Sequence, residues 1–180
     1  VPCFGLTGPH NGSDALGEID TGMVFKDSDG TLKIQVEINK RYITLAPVAN
    51  LIGLAVNVID PDNLLPPGVN PGVTVALLER GHPGLLQETY HNPLNVGFPN
   101  GTLKGHFAIS ADQVIGGRDN IGKGWQMLME CLAAGRGVSL PATANGAAKV
   151  STVASLIYAK HRKQFRIPLY KMQGVNTKLV

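Results

Sequence analysis

The chain has 180 residues, of which 43% are hydrophobic and 16% are charged. This composition is ordinary for a globular protein and argues against disorder. The formal net charge of +3 is small, and the basic residues are scattered along the chain, so we expect no nucleic-acid partner.

The part of the chain before residue 115 is predicted to form short strands separated by turns. Between Leu32 and Ile38, apolar residues alternate with polar ones, which is typical of a strand with one buried face. Several strands at such short spacing favour an antiparallel β-barrel or sandwich. The other strand-like segments are residues 23–25, 43–59, 73–78 and 103–109, with turns at 27–30 and 81–84 and a loop at 61–71.

The remainder of the chain has a helical pattern. From Trp125 onward, apolar residues recur at i, i+3, i+4 and i+7, and residues 147–165 contain few helix breakers. Pro141 falls inside this pattern and should kink or divide the helix. Because two helices of this size cannot bury their apolar faces alone, we expect them to belong to an incomplete helical bundle. The predicted fold is therefore α+β, with a β-domain over residues 1–112 followed by a linker and the first helices of the bundle over residues 113–180.

Cysteine and histidine usage bounds the chemistry further. Cys3 and Cys131 are far apart in the sequence and form neither a disulfide framework nor a metal-ligand spacing, which favours a reducing cytoplasm. The five histidines also lack ligand spacing, so we expect no metal site. No apolar stretch reaches membrane-spanning length. The chain begins without an initiator methionine and ends within a pattern, so we expect it to be a piece of a longer protein.

A loop near the start contains the first candidate site. The run Leu6-Thr7-Gly8-Pro9-His10-Asn11-Gly12-Ser13-Asp14 is rich in small polar residues. Its glycine and proline residues fix the backbone, which leaves the hydroxyls of Thr7 and Ser13 free to face a ligand. A cluster of this kind on its own is more often an ordinary surface turn.

A second run, Lys40-Arg41-Tyr42-Ile43-Thr44, reads as a strand that ends in an aromatic ring and a hydroxyl. Together the two runs resemble the flavin-binding elements of the acyl-CoA dehydrogenase family. The family pattern is a Thr-x-Pro-x-x-Gly-Ser-Asp loop followed by a strand with an aromatic-Ile-Thr triplet. Residues 41–47 resemble the bacterial long-chain fatty-acyl branch. Most members have Glu after the Thr of the loop, where this chain has Gly8.

The resemblance implies a role for each of these residues in binding FAD. Thr7 would hydrogen-bond the pyrimidine end of the flavin ring, and Ser13 would contact the pyrophosphate and the substrate. Gly12 would let the backbone approach a phosphate closely. Tyr42 would lie against the face of the ring, and Thr44 would place its hydroxyl near N5, the atom that receives the hydride. Fixed donors at these places stabilise the negative charge that arrives with the hydride.

Two further segments match family patterns in the helical region. The run Arg162-Lys163-Gln164-Phe165 resembles an Arg-x-x-Phe sequence that follows a long helix. Arg162 and Gln164 would reach the FAD of a neighbouring subunit, and Phe165 would pack near it. Arg136 matches an arginine that lines the acyl-CoA cavity. Both arginines could equally be solvated charges on a helix, and the spacing between them is one residue longer than the family has.

The resemblance covers nearly the whole chain and implies a function. It indicates an FAD-dependent enzyme that oxidises a fatty acyl-CoA to the trans-2-enoyl-CoA in fatty-acid β-oxidation, with an electron-transfer flavoprotein as the partner that reoxidises the flavin. The role of Arg162 implies a homo-oligomer, a dimer or tetramer, located in the cytoplasm or, for the parent protein, at a membrane. No catalytic base is assigned, because the offset of Glu130 from Arg136 does not match the family. We therefore expect this piece to be inactive alone.

Two other functions stay open. One is a non-enzymatic β-barrel binding module, which would hold no flavin and would not need Thr7 or Thr44. The other is nucleotide hydrolysis by residues 117–124, which read Gly-x-x-x-x-Gly-Lys-Gly and resemble a phosphate-binding loop. Gly124 stands where a Ser or Thr would hold magnesium. We interpret this run as a linker into the helices, with Trp125 packed in the core.

Overall fold

The computed structural model describes residues 1–179, apart from the side chain of Thr89. The chain divides into two compact units, one over residues 1–128 and the other from Met129 onward. The first unit is built on a seven-stranded sheet, and the second is mainly helical. This architecture confirms the predicted α+β class. The domain boundary after residue 112 falls inside the first unit and stays a prediction.

The sheet of the first unit is mixed, rather than wholly antiparallel as predicted. Two short strands follow one another along one edge of a third strand, and each pairs with it in parallel. The strands are β1 (Pro2–Gly5), β2 (Thr21–Lys26), β3 (Leu32–Thr44), β4 (Leu51–Ile59), β5 (Val73–Glu79), β6 (Leu85–Tyr90) and β7 (Asn100–Ser110). Their order is β1-β4-β2-β3-β7-β6, with β5 paired to β4. The two parallel pairs are β1 with β4 and β2 with β4.

The longest strand, β3, changes its alternation near its end. It buries every second residue from Ile34 to Lys40. A β-bulge follows, in which residues 41–42 together oppose the single residue Thr102 of β7. Because the bulge adds one residue, Ile43 is buried and Thr44 is exposed. Without the bulge, Thr44 would point toward the core.

Two apolar clusters hold the first unit together. In the smaller one, Trp125 packs against a buried group that includes Leu128, and this contact confirms Trp125 as a core residue. Leu6, in the loop after β1, packs against the same cluster. Burying a side chain such as leucine stabilises the fold by about 1.5–3 kcal/mol. The larger cluster includes Val24, Ile34, Val36, Ile38, Ile52, Leu54, Leu78, Leu103 and Ile109.

The helices divide where the proline predicts. Helix α1 (Gly124–Ala134) and helix α2 (Leu140–His161) are separated by a π-helical turn over Gly135–Ser139. Pro141 lies in the first turn of α2, where its missing N–H costs least. The irregularity predicted at Pro141 is therefore found just before it, as a π-helical turn, and Ala134, Ser139 and Leu140 keep right-handed helical backbone angles.

The predicted continuation of the helix to residue 165 is wrong. Arg162 leaves the helical conformation, and two short strands, β8 (Lys163–Gln164) and β9 (Ile167–Pro168), form a hairpin. Helix α3 (Gln173–Leu179) follows. No helix within residues 1–179 combines the length and apolar character needed to cross a membrane.

Candidate functional site

The two sequence runs singled out above lie side by side in the first unit. The backbone N–H of Arg41 donates to the carbonyl oxygen of Thr7 at 2.9 Å. The side-chain ammonium of Lys40 donates to the carbonyl oxygen of Leu6 at 3.0 Å. Segments that are 34 positions apart in the sequence are therefore joined by two adjacent hydrogen bonds.

Lys40 is the centre of this junction, although sequence reasoning assigned it no role. Its side chain is 0% exposed, and its ammonium pairs with the Asp20 carboxylate at 2.9 Å. Burial lowers the pKa of Lys40, and the hydrogen bond and charge of Asp20 oppose that shift. Since Leu6 and Asp20 lie at the two ends of the loop between β1 and β2, one buried cation ties both ends to β3. The signal was available, because Lys40 falls in phase with the buried residues Ile34 to Ile38.

The loop itself is organised around Asn11, which is buried. Its side-chain oxygen accepts the N–H of Gly8 at 2.6 Å, and its amide donates to the carbonyl oxygens of Leu6 and Ala15. These bonds close the loop without help from its hydroxyl groups. Gly12 and Ser13 are exposed, and a Cβ added at Gly12 would meet no atom within 4 Å. Thr7 is half-buried.

The bulge of β3 carries Tyr42, whose ring contacts the side chains of Arg41 and His91. Tyr42 has a φ of +58°, a left-handed conformation that tyrosine rarely adopts, and its side chain is half-exposed. The Arg41 guanidinium lies 4.8 Å from the centre of the Tyr42 ring, and its Nη2 donates to the phenol oxygen at 3.2 Å. The His91 ring also contacts the tyrosine ring, with 5.1 Å between the ring centroids and an angle of 45° between the ring planes.

Thr44 is linked through Asn100 of β7 to His91, the residue that follows β6. It is paired with Asn100 of β7, and the carbonyl oxygen of Asn100 accepts the backbone N–H of His91 at 2.6 Å. His91 comes directly after β6, whose pairing with β7 ends at Tyr90 and Gly101. Directly opposed residues of antiparallel strands point to the same face of a sheet. Sequence reasoning missed His91 and Asn100, because nothing local marks them.

The candidate residues of the helical unit are described within that unit alone. Arg136 is exposed in the π-helical turn, and Arg162 ends α2 with an extended backbone. Gln164 and Phe165 follow in the hairpin of β8 and β9, where Phe165 has a φ of +52° and is 88% exposed. The roles that the resemblance implies for these residues stay predictions, as do those for the residues of the first unit.

The described residues support neither a metal site nor a phosphate-binding loop. Among residues 1–179, no three His, Cys, Asp or Glu side chains lie together as metal ligands. In the loop of residues 117–124, the N–H of Gly122 donates to Thr74 Oγ1 at 2.9 Å. The N–H groups of Asn120, Ile121 and Lys123 donate to carbonyl oxygens of the loop itself. A phosphate-binding loop must leave such N–H groups free, so this geometry argues against nucleotide binding and supports a packed linker.

Comparisons with known proteins found relatives with two different names. No protein-family model matches the chain. Protein HemX of Proteus mirabilis is 36% identical over 153 residues, which cover 71% of this chain and 89% of that protein. The short-chain specific acyl-CoA dehydrogenase of Megasphaera elsdenii is 29% identical over 179 residues, which cover 98% of this chain and 43% of that protein.

The solved structures agree with the sequence comparison. The three-dimensional structure of butyryl-CoA dehydrogenase from Megasphaera elsdenii superposes with a TM-score of 0.68 and 27% identity, over 99% of this chain and 44% of that one. The chain therefore spans less than half the length of the dehydrogenases that it matches.

Proposed function

Because this chain belongs to the acyl-CoA dehydrogenase family, we propose that it forms part of an FAD-dependent enzyme that oxidises a fatty acyl-CoA to the trans-2-enoyl-CoA. The observation that carries the proposal is the contact between the two runs, made by the hydrogen bonds from Arg41 to Thr7 and from Lys40 to Leu6. A flavin site built from these runs requires them to be neighbours, and nothing in their sequence separation demands it.

The residues around this contact fit a flavin. The loop leaves open space at Gly12, where a phosphate could approach the backbone. Tyr42 offers a half-exposed ring for stacking, and Thr44 is exposed on the same strand. His91 contacts the Tyr42 ring, and Asn100 is the cross-strand partner of Thr44. Each of the two carries a buried polar atom without a hydrogen-bond partner among the described residues. Bound FAD would supply the acceptor for a hydride from the acyl chain.

The chain's own residues would hold and orient that cofactor. The hydroxyl of Thr7 would donate to the pyrimidine end of the ring, where negative charge develops, and the hydroxyl of Thr44 would donate near N5. Ser13 would bind the pyrophosphate and the substrate, and Tyr42 would cover one face of the ring. Because Asn11 already satisfies the loop backbone, the hydroxyls of Thr7 and Ser13 need not serve the fold.

The helical unit would complete the site from a second subunit. Arg162 and Gln164 would reach the FAD of a neighbouring copy, with Phe165 packed beside it, and Arg136 would line the acyl-CoA cavity. A guanidinium suits a pyrophosphate because its donors bind two oxygens at once. Helix α2 carries exposed apolar side chains that need a covering surface, which supports further helices and a homo-oligomer. They include Val150, Val153, Leu156 and Ile157.

The wider setting follows from the same family. We propose the bacterial long-chain branch, fatty-acid β-oxidation in the cytoplasm or at a membrane surface, and an electron-transfer flavoprotein as the oxidising partner. No residue of the chain is assigned as the base that removes the α proton. The isolated chain is therefore expected to be inactive, as a piece of a longer enzyme would be. The alternative of a non-enzymatic binding module is not favoured by the relatives found.

A visible spectrum tests the proposal most directly. The protein is produced from the complete reading frame that encodes this chain, and a long-chain acyl-CoA is added without oxygen. Flavin bands that bleach on addition support the proposal. A Thr44→Val variant should bleach more slowly, whereas Thr31→Val, which alters an exposed threonine in the β2–β3 turn, should behave as wild type. A purified protein without flavin, or flavin that acyl-CoA does not reduce, would contradict the proposal.

A further inference from the structure

Within the part of the chain that the structure describes, two polar side-chain atoms are buried without a hydrogen-bond partner. They are Nε2 of His91 and Oδ1 of Asn100. Asn100 as a whole is only 5% exposed. Folded proteins pair nearly all of their buried polar atoms, so two unpaired atoms on residues joined by a backbone hydrogen bond call for an explanation. They do not serve the fold, since neither atom makes a hydrogen bond within the described residues.

The backbone brings these two atoms to the surface proposed for the flavin. Asn100 is the direct cross-strand partner of Thr44, and its carbonyl oxygen holds the N–H of His91. The side chains of Thr44 and Asn100 therefore leave the same face of the sheet, and a backbone hydrogen bond joins His91 to Asn100. The His91 ring contacts the ring of Tyr42 and is tilted by 45° to it.

The strands on both sides of β7 are irregular at this level. The pairing of β3 with β7 shifts between Lys40 and Ile43, and the pairing of β6 with β7 shifts between Glu88 and Tyr90. Bulges redirect side chains and are frequent next to binding sites. Here one bulge carries Tyr42, and the other irregularity, at residue 89, lies two residues before His91. A left-handed φ at Tyr42 adds backbone strain at the same place.

We propose that His91 and Asn100 are additional ligand-binding residues of the flavin site, and that the contact between the rings of His91 and Tyr42 is its closed form. The pyrimidine edge of a flavin presents ring N–H and carbonyl groups side by side. An imidazole nitrogen and an amide oxygen, or the amide nitrogen after a flip, complement such an edge. The inference rests on the proposed function, because it takes Thr44 as a neighbour of the flavin.

Binding requires the two rings to part, and the structure allows this. Tyr42 is half-exposed, and His91 stands in the connection after β6, outside the strand. Neither residue belongs to the packed apolar clusters, so a turn about the χ angles of either side chain would leave those clusters in place. The closed form leaves two polar atoms unpaired, and a ligand that pairs both is favoured by that difference.

Three variants of the protein from the complete reading frame test the inference by FAD titration. His91→Phe keeps a ring beside Tyr42 and removes the nitrogen, and Asn100→Ala removes the amide. Each should weaken FAD binding roughly three- to tenfold, as the loss of one ligand hydrogen bond does, and should shift the flavin absorption bands. His91→Gln, which restores a hydrogen-bonding group without a ring, should bind FAD more tightly than His91→Phe. His82→Phe is the matched control, because His82 also packs on an aromatic ring, that of Phe107 at 5.0 Å.

A second measurement removes any dependence on how well the variants fold. In wild-type protein labelled at histidine, adding FAD should move the ring resonances of His91 and leave those of His82 in place. If the wild type binds FAD while His91→Phe and Asn100→Ala retain its affinity and spectrum, the inference is overturned and the proposed function stands. Unmoved His91 resonances in FAD-saturated protein would overturn it equally. A wild type that binds no FAD would overturn both.

Discussion

Replacing Lys40 tests whether one buried ammonium fixes the loop of residues 6–20 to β3. Lys40→Met keeps the length of the buried stem and removes the charge, so Asp20 and the Leu6 carbonyl lose their donor. Removing one partner of a fully buried pair costs about 3–5 kcal/mol. The Asp20 side chain is 21% exposed, so water replaces part of the lost interaction. We therefore expect the free energy of unfolding to fall by about 2–3 kcal/mol.

The pH dependence of stability gives an independent check on the same residue. Burial lowers the pKa of Lys40 from its ordinary value of 10.5. Between the lowered and the ordinary pKa, the unfolded chain binds more protons than the folded chain, so stability rises with pH across that window. The contribution is lost as the pH falls through the pKa of the folded state. Since Lys40→Met removes this titration, the gap in unfolding free energy between wild type and variant should widen in alkaline solution.

Urea denaturation followed by Trp125 fluorescence measures both effects. Trp125 is the single tryptophan of the chain and packs against a core cluster of the first unit, so its emission reports the unfolding of that unit. Lys104→Met is the matched control, because Lys104 is an exposed lysine in the middle of β7. Equal unfolding free energies for the two variants would refute the role assigned to the buried ammonium. A gap that does not change with pH would refute the account of its pKa.

Three further outcomes follow from other parts of the structure. Cys3 is buried, and that burial raises its pKa to about 11. At pH 8 a thiol-specific disulfide reagent should therefore react only with the exposed Cys131 in the folded chain, and with both thiols after denaturation. Rapid reaction of both thiols in the folded chain would contradict this. Gly122 has a φ of +83° and an added Cβ would lie 2.0 Å from the Asn70 carbonyl oxygen, so Gly122→Ala should lower stability by about 3 kcal/mol or more. Gly30 has a φ of +82° with open space around it, so Gly30→Ala should cost only about 1–2 kcal/mol, and equal losses in thermal unfolding would show that the Asn70 contact is unimportant. Lys123→Ala should leave the amount of ATP bound in equilibrium dialysis unchanged, because the backbone N–H groups of its loop are already hydrogen-bonded. Saturable ATP binding by the wild type that the variant abolishes would support nucleotide binding instead.

The strands that the sequence predicted are those with a local signal. Alternation of apolar and polar residues located the start of β3, and the strand-like runs 73–78 and 103–109 located β5 and β7 to within three residues. Strand β1 was missed because it has four residues, and its stability depends on parallel pairing with a segment about fifty residues away. Strand β6 was missed because it is an edge strand, whose alternation is less constrained.

The end of α2 shows a second limit of sequence reasoning. Residues up to 165 have good helical propensity, so nothing in their composition predicted that the helix stops at His161. The hairpin that follows turns through Phe165 and Arg166, both with positive φ. Hairpin turns with positive φ usually contain Asn or Gly, which makes them recognisable in a sequence. Here they occur at residue types that carry no such signal, so only the fold reveals them.

The residues of the candidate site also fall into those that the sequence indicated and those that only the structure revealed. Its motif residues came from a family resemblance, whereas His91 and Asn100 could be found only after the register of three strands was known. Lys40 lies between these cases. Its position in phase with buried residues was visible in the sequence, but the partners that make a buried charge tolerable, Asp20 and the Leu6 carbonyl, come from another segment.

The five residues from Lys40 to Thr44 combine two tasks that an uninterrupted strand could not perform together. A regular alternation would bury Tyr42 and Thr44 along with Lys40, and the ring and hydroxyl would then be unavailable to any ligand. The bulge at residues 41–42 adds one residue after the buried lysine and so turns Thr44 outward while Ile43 enters the core. The same segment therefore anchors the neighbouring loop from inside the sheet and presents its polar side chains outside it. The position of the bulge, rather than the presence of the motif residues alone, is what makes a shared ligand surface physically attainable.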